Sequence, residues 1–155
     1  MTEPSLRPGD VLLYSGGSLF SRLIQMKTWS RYSHCEVYDG DGWSVASRDG
    51  IGVGRYPLRV DGLRVILRPV AKFDPIAARA WFATVDGQPY DWFGLLAFTS
   101  AKRQGRNNWK MFCSEFATRY LRAGGVEPFN NYDADGIAPG ELIKSPALLL
   151  VWRSE

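Results

Sequence analysis

The stretch SHCEVYDGDGWSVAS, residues 33–47, decides how this chain is built. Two runs that alternate polar and apolar residues flank Asp-Gly-Asp-Gly, and Asp-Gly pairs supply the positive-φ positions that a tight reversal needs. A β-hairpin is expected, and with it an antiparallel sheet. Alternation along the first strand puts His34, Glu36 and Tyr38 on one side and Cys35 and Val37 on the other. Pairing Tyr38 with Trp43 across Asp39–Gly42 sets Ser47 opposite His34 and Val45 opposite Glu36. The only histidine of the chain then has two oxygen-bearing neighbours able to orient its ring, Glu36 along the strand and Ser47 across it.

Working outward, GDVLLYSG (9–16) follows a Pro-Gly breaker and reads as an opening strand. SLFSRLIQMKTWS (18–30) has helical apolar spacing behind a Ser18 cap. Beyond the hairpin, GVGRYPL (52–58) and GLRVILRPV (62–70) read as strands, the second with Leu63, Val65 and Leu67 on one face. DPIAARAWFATVDG (74–87) is a helix capped by Asp74, with Pro75 at its first position and an apolar stripe of Ile76, Ala80 and Ala83. YDWFGLLAFTSA (90–101) reads as a second, very apolar helix and WKMFCSEFATRYLRAGG (109–125) as a third. SPALLLVW (145–152) reads as a returning strand. Strands first and helices after predict an α+β architecture: an antiparallel sheet of about five or six strands packed against helices, in one domain spanning residues 1–155.

Composition narrows the function classes. Nineteen basic residues against 16 acidic ones give a net charge of +3, too balanced to argue for nucleic acid as a partner. The basic cluster of Lys102, Arg103, Arg106 and Lys110 lies among Gln104, Gly105, Asn107 and Asn108 and reads first as a solvated loop. The start MTEPSLRPGD has no apolar leader core, and no run approaches the ~18 apolar residues of a membrane span, so a cytoplasmic chain without integral membrane association is expected. Two cysteines give no disulfide framework, and one histidine makes a Cys/His zinc site improbable. Neither a metal nor a cofactor is expected, and the sequence sets no oligomeric state.

The third helix carries the other chemistry. Cys113, Ala117 and Leu121 fall at i, i+4 and i+8, with Phe112, Phe116 and Tyr120 on the adjoining row and Ser114, Thr118, Arg119 and Arg122 across from them. Cys113 is therefore on the buried face, where a free cysteine behaves as a small hydrophobe. The Gly124-Gly125 stop also places it at the helix start, where unpaired N–H groups and the macrodipole favour a thiolate by about 1–2 kcal/mol. Both readings stand on the residues alone: core filling, or a nucleophile served by a base. His34 carries the same pair of readings, a hydrogen-bonded strand residue or that base. Cys35, which points away from His34, reads as the structural thiol of the two.

A cysteine at a helix start with a histidine on a sheet is the arrangement of papain-type thiol hydrolases, and here the histidine comes first in the chain. The sequence resembles the circularly permuted NlpC-type papain-like hydrolases, including the YiiX-like proteins and, more distantly, lecithin:retinol acyltransferase. The matching pieces are RPGDVLLY (7–14), SHCEVYDGDG (33–42), QPYDWFGLLAF (88–98) and FCSEFATRYLRAGG (112–125), each short, together spanning most of the chain. The resemblance implies a circularly permuted papain-like fold, a Cys113 nucleophile, a His34 base and a third polar residue, with Glu36 favoured and Ser47 the alternative. It implies acyl transfer on a small peptide or acyl substrate, with peptidoglycan-type peptide amides first and lipid acyl groups second. For the oxyanion the backbone N–H of Cys113 is the natural donor and Tyr14 a second one. Groove walls are expected around Tyr14, Trp43 and the basic loop, where Lys102, Arg103 and Arg106 would meet a carboxylate-bearing ligand. A non-catalytic binding domain of the same fold is the remaining reading. Asp10 and Asp91 read as caps or turn formers.

Overall fold

The computed structural model describes residues 5–18, 21–22, 25–26, 30–90, 112–130, 134 and 137–155. All of the expected 90–101 helix but Tyr90, the basic loop and most of the apolar residues of the 18–30 segment lie outside them. The strands are β1 (Val11–Tyr14), β2 (His34–Gly40), β3 (Trp43–Arg48), β4 (Gly52–Pro57), β5 (Leu63–Pro69) and β6 (Leu148–Arg153). Among the described residues α1 (Pro75–Val85), α2 (Cys113–Ala123) and a 3₁₀ helix (Pro139–Lys144) accompany them. All strand pairs are antiparallel, in one six-stranded sheet of order β4-β3-β2-β1-β5-β6. The architecture is α+β.

Alternation builds the two sides of the sheet. Val11, Leu13, Cys35, Val37, Val45, Val53, Val65 and Leu67 point to the helix side, where they meet Phe116, Ala117, Tyr120 and Leu121 of α2. Leu12, Tyr14 and Ile66 point to the other side and form a smaller cluster with Leu63, covered by Leu6, Tyr38, Leu58, Val151 and Trp152. Leu63 departs from the expected row with Val65 and Leu67. An irregularity between Leu13 and Tyr14 pairs Leu13 with Val65 but Tyr14 with Leu63, which carries Leu63 to Tyr14's side.

The hairpin is tighter than its sequence suggests. Asp41 and Gly42 alone make the reversal, both with positive φ (53° and 80°), as a type I′ turn requires. Asp39 is the extra residue of a bulge: Val37 pairs Val45 and Tyr38 pairs Ser44, but Gly40 pairs Trp43. Its carboxylate turns inward and accepts from Arg55 (2.8 Å), Arg79 (2.8 Å) and the Tyr120 hydroxyl (2.9 Å), so one group ties β2 to β4, α1 and α2. The expected pairing of Tyr38 with Trp43 is therefore one residue out, and a slip of one residue moves every side chain of a strand to the other face.

Helix α1 begins as expected, with the Asp74 carboxylate accepting from the N–H groups of Ile76 and Ala77 behind Pro75. Its stripe does not. Ile76 is 78% exposed, and Ala78 and Val85 are the buried residues, with Trp81 and Phe82 packed on the core beside them. The aromatic rings offer far more apolar area than Ala80 and Ala83, and their burial sets the rotation of the helix. In α2, Ser114 and Thr118 are fully buried rather than facing water, because this helix is enclosed on more sides than a surface helix. No described helix is long and apolar enough to cross a membrane.

Candidate active site

Cys113 is the first residue of α2, behind a Phe112 whose side chain makes no capping bond. The helix therefore starts without the usual competitor for its first N–H groups, the feature that favours an anion there. The start of α2 packs against β2, and His34 and Cys35 there are the groups that act on the acidity of the Cys113 thiol.

His34 opens β2, and its ring is held from the other side. Nε2 is 3.0 Å from Glu36 Oε1, which leaves Nδ1 to serve the sulfur. Glu36 is fully buried, and it is bound at both oxygens. Arg48 donates to Oε1 through Nε (2.9 Å), with Nη2 also 2.8 Å away but off the hydrogen-bonding direction, and the Ser44 hydroxyl donates to Oε2. A buried carboxylate with that many donors stays ionised. Burial opposes its charge, yet His34, Arg48 and Ser44 together hold its pKa at about 2, against an ordinary 4.5.

The same contacts set the other two groups. Burial works against a charged imidazole, but the Cys113 sulfur and the Glu36 carboxylate reverse this and raise the pKa of His34 to about 9. Cys113 is held well below the ordinary thiol range, first by the Cys35 hydrogen bond, against its burial, and then by His34. Cys35 moves the opposite way. Its burial and the charge at Cys113 keep it protonated. The favoured charge state is a thiolate at 113 beside an imidazolium at 34.

The acid limb of stability follows from Glu36. A carboxylate whose folded pKa is depressed contributes stability that is complete above the unfolded value of 4.5 and is lost as pH falls through about 2. That difference corresponds to roughly 3 kcal/mol. Urea denaturation followed from about pH 5 down to about pH 2 is expected to show the decline, and a flatter curve in Glu36→Gln assigns that share to this residue. An equally steep curve in the variant would place the loss elsewhere, for instance on Asp39, whose pKa is also lowered.

Other expected site residues are placed differently. Ser47 is buried on β3, paired with Val53 and in line with Val45, so it shares the helix-side face with Cys35 and is not across from His34. The Asp39 bulge is the cause, and Ser44 and Arg48 take the positions beside Glu36. Tyr14 does stand beside His34, with ring centroids 5.9 Å apart, but its hydroxyl donates to the Arg59 carbonyl at 2.9 Å and is not a free oxyanion donor. Trp43 sits at the turn end of β3, about 20 Å along the hairpin from His34 by strand rise. The Arg55 guanidinium lies over its ring, 4.9 Å from the centroid, and it does not line the cavity that His34 borders. Lys102, Arg103 and Arg106 lie outside the described residues.

Sequence reading missed Arg48 and Ser44. It also missed a cavity of about 500 Å³ that His34 borders together with Tyr14, Ser33, Arg48 and Arg59, and which the Gly16-Gly17 turn closes on one side. Cys113, only 1% exposed, is not part of its wall. Among the described residues no group of three or more His, Cys, Asp or Glu side chains is placed to hold a metal ion.

No protein-family model matches the chain, and no curated protein matches it. Among solved structures, it superposes on metalloprotein yiiX from Escherichia coli O157:H7 (DUF1105) with a TM-score of 0.70. The match covers 96% of this chain and 97% of that one at 16% sequence identity, a likeness that establishes a shared fold.

Proposed function

We propose that this chain is a cysteine hydrolase working by acyl transfer, with Cys113 as nucleophile, His34 as the proton carrier and Glu36 as the group that positions His34. The observation that carries the reading is the chain's single histidine, held between a buried carboxylate at 3.0 Å and a thiol at a helix start. The resemblance to permuted papain-like hydrolases and the yiiX fold agree with it. In the proposed reaction the Cys113 thiolate attacks a carbonyl carbon, and the N–H groups at the start of α2 receive the charge on the oxygen. His34 gives its proton to the leaving amine, then takes one from the water that releases the acyl group from the sulfur. The metal in the neighbour's description finds no suitable set of donors among the described residues here, so no step runs through one.

The substrate class we favour is a peptide amide, of the kind found in peptidoglycan stems. The cavity beside His34 has a polar lining among the described residues, with Ser15, Ser21 and Ser33 beside Arg59 and the carboxylates Asp49 and Asp61. Hydroxyls and charges of both signs suit a polar peptide chain better than an acyl tail. Purified protein is expected to cleave a soluble muropeptide or γ-glutamyl amide faster than a medium-chain acyl ester. Since the working form needs a protonated His34, kcat/KM is expected to fall as pH rises through about 9, where that proton is lost. Faster turnover of the ester would favour the lipid reading. Activity still rising well above that pH would remove His34 from the proton-carrying role.

A further inference from the structure

We propose that the cavity between the end of β6, the start of β5 and the chain just after β1 is a second ligand site, one that takes a phosphate monoester. It measures about 470 Å³, and three arginines border it, Arg31, Arg64 and Arg153. Strand pairing brings two of them together. Arg153 pairs with Val65, the neighbour of Arg64, and the Ser154 N–H donates to the Arg64 carbonyl at 2.9 Å. Arg31 arrives from another segment, and Gln25 fastens it there. The Gln25 side-chain amide donates to the Arg31 carbonyl at 2.9 Å and to the hydroxyl of Ser15, part of the same wall, at 3.3 Å.

What marks these three arginines is that the fold does not neutralise them. Arg48, Arg55, Arg68, Arg79, Arg119 and Arg122 each end on a carboxylate. Arg31, Arg64 and Arg153 make no ion pair among the described residues, although Glu155 also borders the cavity. Like charges gathered on neighbouring strands cost stability, and a bound anion removes that cost. Three guanidiniums against one carboxylate leave two positive charges. A phosphate monoester, with about two negative charges at neutral pH, matches them, and a carboxylate does not. Guanidinium forks fit pairs of phosphate oxygens, and the hydroxyls of Ser15 and Ser154 are donors for a remaining one. Ser15 borders both this cavity and the one beside His34, so a ligand held by its phosphate can extend towards the candidate active site. Only that extension rests on the hydrolase reading.

Calorimetric titration of the full chain with glycerol 3-phosphate at fixed ionic strength reads the site without any turnover, so its failure would leave the hydrolase reading standing. Saturable binding is expected, weakened about tenfold or more by Arg64→Gln and by Arg153→Gln. Lys144→Gln, which removes an exposed cation outside the cavity, is expected to leave it unchanged. Arg64 and Arg153 are exposed, so both variants should keep the parent's melting temperature. Diethyl phosphate and acetate, each with a single charge, are expected to bind more weakly than glycerol 3-phosphate. Co-sedimentation with phosphatidylcholine vesicles, with and without phosphatidic acid, forms the second arm. Binding of glycerol 3-phosphate identifies a free phosphate ligand; capture by the phosphatidic acid vesicles alone, lost in the same two variants, identifies a lipid headgroup. No binding in either arm, binding that survives both substitutions, or acetate bound as tightly as glycerol 3-phosphate would overturn the proposal.

Discussion

Replacing Cys113 with serine is expected to lower kcat/KM by at least about a thousandfold while the protein still folds. The sulfur is the only atom changed, and what is lost is its acidity. Cys35 and, after it, His34 hold the Cys113 thiol well below the ordinary range against its burial. The same neighbours around a hydroxyl act on a group many orders of magnitude less acidic, so the anion that attacks the carbonyl is not populated. Folding survives because a serine hydroxyl there still meets hydrogen-bond partners, which is what a buried polar group requires. Circular dichroism melting alongside steady-state rates separates the two effects. A serine variant with activity within tenfold of the parent would end the nucleophile assignment.

Glu36→Gln is the second large effect, and it is expected to act on stability and on rate together. The carboxylate accepts from His34, Arg48 and Ser44 with no exposure to water. An amide has one oxygen for those donors and turns an NH₂ against at least one of them, leaving the Arg48 charge without its counterion. Breaking one partner of a buried pair costs about 3 kcal/mol. The turnover loss is expected to be tenfold or more, because His34 loses both its orientation and one of the two charges that raise its pKa. The alkaline limb of the pH profile should accordingly move below about 9, a shift that simple destabilisation does not produce. Ser47→Ala, on the other face of β3, should leave that limb where it is. If Ser47→Ala moves the limb and Glu36→Gln does not, the role belongs to the serine.

The site was legible in the sequence where local rules govern and illegible where distant residues intervene. Cys113 at a helix start follows from an apolar stripe and a Gly124-Gly125 stop, and His34 beside Glu36 follows from the period of two in a strand. Neither needs knowledge of the rest of the chain. The register of the hairpin does. Asp39 turns inward because Arg79 and Tyr120, 40 and 81 positions further on, receive it there, and the resulting bulge exchanges Ser47 for Ser44 and Arg48. The hydroxyl of Tyr14 went to a carbonyl 45 positions away.

Cys35 is buried on the helix-side face. Its side chain leaves the strand on the face opposite to His34's, as alternation requires. But His34 is the first residue of β2, α2 packs against that strand, and both His34 and Cys35 act on the acidity of the Cys113 thiol. Alternation describes faces in the middle of a sheet; at its end, where a helix terminus arrives, one thiol can be tuned from both. In α1, packing Trp81 and Phe82 on the core outweighed burying Ile76, a competition of buried areas that spacing alone does not decide.

A Cys113 thiolate poised beside the His34 imidazolium should show itself in the pH dependence of alkylation. Native protein is exposed to iodoacetamide across a pH series, and the modified residue is located by mass spectrometry. Burial slows the reaction at every pH, so the deciding quantities are the shape of the profile and the ratio between the two cysteines. Cys113 is expected to react well below the ordinary thiol value of about 8.5, with Cys35 unmodified throughout. A Cys113 profile that follows an ordinary thiol, equal modification of both residues, or modification of Cys35 alone would contradict the account.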